Sequence, residues 1–405
     1  MRILFSNYAL LDKTGFGRSF MLARELAIIG NKVTFLTGLP SNKFIFPYKK
    51  EVRDGVLIIA FPDIVPNFMR RTGFGLLSFV FKLFYVFINK YDIYHADVGH
   101  RPCGGIPILL KKQFKDIVYV SEWYNYYGKG GQYDSKKGIK KYTHGAYDLF
   151  FEIKDKKIAD GVVCLSSAMA ERANKEGISE DHLSIINGGA DVKSIYFQKH
   201  STNKVKFNID NSSLTFGFIG MNVGQLKDIM PLIEALNELS LKSEFFKKST
   251  LITTGRFLPK RVKEELDLKF KLKEFGWVDY EVYSEILSCV DIFVLLQEPN
   301  LDNRTRWPNR LGDYIAAGRK TLINPYGDTR SLVGKYKELF IEVDFSKETI
   351  KRNLAEVIQN EEIYSDREVI RKIAEEELSW NQKAKQLLNF YNKLLYSKRK
   401  NEAYK

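Results

Sequence analysis

The feature that most restricts this chain is an alternation that occurs twice. Short apolar or β-branched runs are followed by helical periods, the pattern of a parallel sheet covered by helices. In the first stretch the runs lie at residues 3–5, 32–36, 56–60, 91–95, 117–120, 161–165 and 183–186, with a helix over 17–30. In the second they lie at 214–219, 250–254, 275–278, 292–296 and 320–323, with helices over 229–239, 280–289 and 311–317. Residues 198–213 are polar and read as a connector. The expected fold class is therefore α/β, with two Rossmann-like domains over 1–197 and 198–379. After Trp380 a last apolar period, Leu387, Leu388, Phe390, Tyr391 and Leu394, predicts a closing helix and charged tail over 380–405. A chain of 405 residues, 44% hydrophobic, is long enough to bury two cores.

The formal charge is +14, and the first 200 residues carry 29 Lys and Arg against 19 Asp and Glu. A basic excess of ten in that half favours an anionic partner such as a nucleotide or acidic lipid. Nucleic acid is not expected, because the lysines are spread out and accompany no recognised module. Cys103, Cys164 and Cys289 are too few and too scattered for a disulfide framework or zinc cluster, which suits a reducing, cytoplasmic setting. The opening residues hold no signal-peptide apolar core. The most apolar stretch, 73–89, is interrupted by Lys82 and is shorter than the roughly 20 residues of a membrane span. Residues 68–90 combine dense aromatics with Arg70, Arg71, Lys82 and Lys90, a composition shared by a helix buried against the first sheet and one resting on anionic lipid. The buried reading is preferred, and peripheral contact with the inner face of a membrane is its alternative.

Three segments carry chemistry. Gly15-Phe16-Gly17-Arg18 opens the first helix, where backbone N–H groups can face an anion; a flexible turn would look the same. Gly220 ends a strand and Lys227 precedes a helix, a place from which a cation can reach a departing diphosphate or simply lie in solvent. Residues 298–319 bring Arg304, Arg306 and Arg310 to a helix start, around Trp307 and ahead of Asp313. Arginine forks bind phosphate, and a carboxylate one turn into the helix can accept from ribose hydroxyls.

With these segments in place, the sequence resembles the GT-B glycosyltransferases, specifically the retaining family 4 enzymes, over nearly its whole length. The resemblance rests on Gly15 and Gly17, Ala159-Asp160-Gly161 leading to Leu165-Ser166, residues 186–191, Lys227, Gly276-Trp277-Val278, and Asp313-Tyr314 with Ala316-Ala317-Gly318. It implies two Rossmann-like domains facing a central cleft, with a C-terminal helix crossing back to the first domain. It also implies a nucleotide-sugar donor on the second domain, a saccharide or lipid-linked acceptor on the first, and hexosyl transfer without a metal or other cofactor.

Carried over by position, Lys227 resembles the diphosphate-binding lysine, and Asp313 stands where a glutamate usually binds ribose. Asn309, Arg310 and Leu311 would cradle phosphate, Trp277 and Val278 would border the base, and Glu298 and Arg306 complete the donor set with Gly15 and Gly17. The arginine that commonly follows the strand-ending glycine is Met221 here, leaving Arg256, Arg306 or Arg310 to supply that charge. The usual spacing of two glutamates also fails, since Thr305 occupies the first position relative to Asp313. In the first domain His95, Asp97, His100 and Arg101 follow one strand, and Glu122 and Trp123 follow the next. The resemblance makes these the cleft wall, with Asp97 or His100 facing the donor sugar as catalytic candidates. His95, Arg101, Glu122 and Trp123 then stand on the acceptor side, although a histidine at a strand end is commonly a packing residue. A sugar-nucleotide epimerase and a catalytically silent binding protein are the rival readings.

Overall fold

The computed structural model describes residues 1–11, 17–40, 44–197, 201–222, 225–359 and 366–403, and Gly15 lies outside them. The chain forms two compact units. One comprises Met1–Gly188, Thr305–Trp307 and Trp380–Lys405; the other comprises Gly189–Arg304 and Pro308–Ser379.

The first unit is built on eight strands: β1 (Arg2–Leu10), β2 (Lys32–Gly38), β3 (Lys49–Arg53), β4 (Val56–Phe61), β5 (Ile93–Ala96), β6 (Tyr119–Trp123), β7 (Gly161–Cys164) and β8 (Leu183–Ile185). Their order is β3-β4-β2-β1-β5-β6-β7-β8, and every neighbouring pair is parallel except β3 with β4. Central strand β1 is buried on both faces at Ile3 to Phe5, which is why those residues read as an apolar run, and the buried residues that follow, Ser6 and Asn7, are polar. Its Ile3 and Phe5 point to one side, where the helix Arg18–Ile28 supplies Leu22, Ala23 and Leu26. Leu4 points to the other, with Val86 of the helix Leu76–Ile88 and Ile108 of the helix Ile106–Phe114.

The closing helix Trp380–Ala403 belongs to this first unit, packing Trp380, Leu387, Phe390 and Leu394 into the same core as Ile3 and Phe5. A Cβ on Gly161 would lie 2.6 Å from Leu394 and 2.8 Å from Phe390, so the absence of a side chain on β7 is what lets the helix approach.

The second unit holds β9 (Thr215–Met221), β10 (Thr250–Gly255), β11 (Lys271–Glu274), β12 (Ile292–Leu295), β13 (Thr321–Ile323) and β14 (Phe340–Glu342), in the all-parallel order β11-β10-β9-β12-β13-β14. Helices Leu226–Lys242 and Lys347–Gln359 cover one face through Leu232, Ile233, Leu236, Ile350 and Leu354.

One expected strand is displaced. Residues 275–278 are not a strand; β11 is the preceding Lys-Leu-Lys-Glu, and Gly276 at φ 67° turns the chain away. The strand is at the sheet edge, where one side faces solvent and lysines are tolerated, so apolar content misplaces it. The edge strand β3, Lys-Lys-Glu-Val-Arg, carries no apolar run for the same reason, whereas β14 lies in the apolar segment 339–343 and is absent from the expected strands. The helix Leu76–Ile88 combines features of both readings offered for residues 68–90. Ser78, Lys82 and Val86 are buried, whereas Leu76, Phe84 and Ile88 are exposed. Among the described residues no helix is long and apolar enough to cross a membrane.

Candidate functional site

In the second unit the carboxyl ends of four strands converge. Gly220 ends β9 at φ 73° and its N–H donates to Thr254 Oγ1 at 2.9 Å. Gly255 ends β10 at φ 89°, and a Cβ there would stand 2.4 Å from the Met221 carbonyl oxygen, so only glycine allows this approach. Its N–H donates to Gly276 O at 2.7 Å, while Arg256 N–H donates to Met221 O at 2.8 Å. Met221 itself is a core residue. Arg256 is exposed beside it.

Two aromatic rings stand out where β10 and β11 end. Trp277 is 78% exposed and Phe257 is 59% exposed, the latter close enough that a Cβ on Gly276 would lie 3.1 Å from its ring. Val278 is half-buried next to Trp277. Phe257 escaped the sequence reading because a lone phenylalanine after a strand carries no spacing signal.

Lys227 lies in the first turn of Leu226–Lys242 with its side chain 76% exposed, and its ammonium is 3.6 Å from Glu298 Oε1. The neighbouring Asp228 accepts from the Glu298 N–H at 2.8 Å, tying this helix start to the end of β12. Beyond β12, Gln297 N–H donates to Asn324 Oδ1 at 2.8 Å and Asn324 Nδ2 donates back to Gln297 O at 2.9 Å. That reciprocal pair fixes where Glu298 emerges.

The helix Arg310–Ala316 follows Pro308 and Asn309, one residue earlier than the expected 311–317. Its Arg310 does not extend freely: Nη1 donates to Ile219 O at 3.1 Å, and the guanidinium lies 4.4 Å from the Phe218 ring centroid. One of the three arginines considered in place of Met221 thus stands at the end of β9. Leu311 is buried and Asn309 exposed. Tyr314 stacks on Phe293 with centroids 4.1 Å apart, and its hydroxyl accepts from Ile219 N–H at 3.1 Å, which holds the helix against β9 and β12. Asp313 receives the Tyr283 hydroxyl at Oδ2 over 2.8 Å. Its surroundings push its pKa up to about 7, first through burial, with the Tyr283 hydrogen bond opposing and Asp191 adding repulsion. Tyr283 lies thirty residues from Asp313, and no local pattern pairs them.

The first unit collects its candidates around the ends of β1, β5 and β6. Asp97 accepts from Ser19 Oγ at 2.6 Å and from Asn7 Nδ2 at 2.9 Å. Its pKa is pushed up to about 7 by burial and then by the negative Glu122. Glu122 itself is held below the usual carboxylate range: burial works against this, but Arg18 and His95 outweigh it. Arg18 Nε and His95 Nε2 each stand 3.4 Å from a Glu122 oxygen. His95 is fully buried, stacks on Phe5 at 4.6 Å, and bonds the Tyr391 hydroxyl at 2.6 Å.

His100, Arg101 and Trp123 are also buried and engaged with the protein. His100 Nε2 is 3.1 Å from Asp148 Oδ1, and Arg101 Nη2 donates to Asp148 Oδ2 at 3.0 Å. Burial lowers the His100 pKa. Trp123 Nε1 donates to Glu152 Oε1 at 2.7 Å, and Arg172 makes a two-pronged contact with Glu152 at 2.8 and 3.0 Å. Asn7, Ser19 and Asp148 were not singled out from sequence; each lies far along the chain from the residue it serves. Gly17 caps the helix Arg18–Ile28 at φ 62°, and a Cβ placed on it would meet nothing within 4 Å among the described residues. Arg306 belongs to the first unit with Thr305 and Trp307, and Arg310 to the second. Among the described residues no three His, Cys, Asp or Glu side chains are grouped to hold a metal ion.

No protein-family model matches the sequence, and no curated protein matches it by sequence. Solved structures do match it in three dimensions. A glycosyltransferase from Rickettsia africae is 14% identical, with a TM-score of 0.65 over 97% of this chain and 98% of that one. Sucrose-phosphate synthase from Thermosynechococcus elongatus is also 14% identical, with a TM-score of 0.70 over 98% and 99%. HepE from Anabaena in complex with UDP-glucose is 13% identical, with a TM-score of 0.64 over 96% and 99%. Two α/β units with parallel sheets, matched nearly end to end in both directions, give this chain the GT-B fold of glycosyltransferases.

Proposed function

We propose that the protein is a retaining hexosyltransferase that moves a sugar from a nucleoside-diphosphate donor to a saccharide or lipid-linked acceptor, in the manner of the family 4 enzymes its sequence resembles. The observation that carries this reading is the match over nearly the full chain to a glycosyltransferase and to HepE, which was solved with UDP-glucose. The groups at the strand ends of the second unit suit such a donor. Asp313 accepts from ribose, Trp277 and Phe257 offer faces on which a base can stack, and Lys227 stabilises the leaving diphosphate. Asn309 and Arg310 at the start of the helix Arg310–Ala316 are assigned to phosphate, whereas Leu311 is buried and its N–H donates to Pro308 O at 2.9 Å. In the first unit Asp97 and His100 are the groups assigned to the sugar.

The setting we propose is cytoplasmic surface-glycan synthesis, consistent with the three free cysteines and the basic first half of the chain. Calorimetry with UDP, GDP and ADP tests the donor assignment. Saturable binding of one of them, weakened in the Asp313→Ala protein, is expected; no binding of any would remove the reading.

A further inference from the structure

The helix Leu76–Ile88 divides into two faces with opposite demands. Ser78, Lys82 and Val86 are buried; Leu76, Val80, Phe84, Phe87 and Ile88 are exposed, Phe84 by 64% and Ile88 by 77%. At 100° per residue these five occupy one continuous arc, so the exposure is a stripe and not scattered single residues. Phe114 extends it, its ring 6.4 Å from Phe87 and itself exposed. From Ile64 through Tyr91 the chain contains no carboxylate.

A second element shares this chemistry. Ile139 and Tyr142, three residues apart at the start of a helical turn, are each 78% exposed and are bracketed by Lys136, Lys137, Lys140 and Lys141. Lys137 and Lys140 are exposed. Phe74 links the two elements, since it lies two residues before Leu76 and packs on His144 and Tyr147 with centroids 4.7 and 5.1 Å apart. Apolar tips set in a collar of lysines, beside an apolar stripe free of carboxylates, suit a surface that is negative outside and hydrocarbon within.

We propose that the first unit docks on an anionic lipid bilayer, inserting the stripe Leu76–Ile88 together with Ile139 and Tyr142 while Lys137 and Lys140 meet the headgroups. The apolar side chains enter the boundary between headgroups and acyl chains, and the lysines add attraction that salt screens. Lys82 reaches from the buried face of the same helix to Asn7 O at 2.6 Å, and Asn7 bonds Asp97. The docking element is therefore built onto the groups that the proposed function assigns to sugar transfer. On that reading, which this step deepens, the acceptor is lipid-borne.

Vesicle flotation with the full chain tests this. Vesicles of phosphatidylcholine with about one third phosphatidylglycerol should bind the protein, and binding should fall steeply with added salt. Pure phosphatidylcholine should bind far less. Lys137→Glu with Lys140→Glu should weaken binding more than tenfold, taking about fivefold per lysine lost near a charged surface. Ile139→Ser with Tyr142→Ser, and separately Phe84→Ser with Ile88→Ser, should weaken it as well. Equal binding to neutral and anionic vesicles, no binding, or indifference to all three double variants would overturn the inference. A stable dimer that the Phe84 and Ile88 changes split into monomers would also overturn it, because a second copy would then cover the stripe. Nucleoside-diphosphate binding in the same variants should stay at wild-type strength. Loss of vesicle binding with intact nucleotide binding in wild-type protein would refute the docking alone, and the reverse pattern would refute the donor reading alone.

Discussion

The Tyr283 hydroxyl donates to Asp313 Oδ2 at 2.8 Å, and this bond favours the ionised form against the burial that, on balance, pushes the carboxyl's pKa up to about 7. Charged acceptors make stronger hydrogen bonds than neutral ones, so nucleoside-diphosphate affinity should rise as pH increases through about 7. Asp313→Ala should weaken that binding roughly tenfold or more and flatten the pH dependence, since a bond to a charged group contributes about 1.5–3 kcal/mol. Tyr283→Phe should move the rise to higher pH. Calorimetry across pH checks all three, and unchanged affinity in the alanine variant would place the ribose elsewhere.

Lys227 is largely exposed, so its replacement should leave folding intact while slowing turnover. If it meets charge that builds on the diphosphate in the transition state, Lys227→Ala should reduce kcat by about 10²–10³. The same argument predicts that EDTA leaves the rate nearly unchanged, because cationic side chains supply what a divalent ion otherwise brings. A rate abolished by EDTA and restored by manganese would reassign the charge to a metal.

Asp97 should make the stability of the protein depend on pH in a defined window. Its native pKa, about 7, lies above the ordinary 3.8, so the folded state holds this proton more tightly than the unfolded one. That contribution is complete below about pH 4 and is lost as pH rises toward 7. Asp97→Asn removes it, and Ser19 can still pair because its hydroxyl can turn to accept. Denaturation midpoints across pH should show the variant gaining on wild type between about pH 4 and 7. Glu122→Gln should shift the wild-type slope to lower pH, since Glu122 is the charge that opposes Asp97 ionisation.

Lys82 donates to two main-chain oxygens, Asn7 O at 2.6 Å and Cys103 O at 2.7 Å. Lys82→Met keeps the volume but strands both carbonyls, at a cost of about 1–3 kcal/mol for each buried group left unpaired. Burial lowers the lysine pKa to about 8, so the unfolded state binds the extra proton between about pH 8 and 10.5 and wild-type stability gains with rising pH there. The difference between wild type and variant in chemical denaturation should widen over that range.

What could be read from sequence follows the physics of burial. Strand β12 is buried and apolar along its whole length, and β1 is apolar over Ile3 to Phe5, so composition marks both. Strands β3 and β11 sit at sheet edges and carry lysines, so composition hides them. Site positions announced by backbone constraint were also legible. Gly220 and Gly276 adopt positive φ near strand ends, and Asn309 precedes a helix start; Gly255 at φ 89° joins them only in the structure. Partners joined only by folding were not. Tyr283 with Asp313, Asn7 with Asp97 and Asp148 with His100 are each separated by 30 to 90 residues, and only the strand order brings them together. The lysine turn at 136–142 lies in a stretch from which the sequence reading takes no site, and its meaning depends on the exposure of Ile139 and Tyr142.

The central claim is sugar transfer from a nucleotide donor, and nucleoside-diphosphate release from a panel of nucleotide sugars tests it most directly. The account predicts that one donor is consumed, that release is slow with purified protein alone and is strongly accelerated by a membrane extract holding the acceptor, and that Lys227→Ala suppresses it. Release from no donor in the presence of that extract, or release indifferent to both the extract and Lys227, would contradict it.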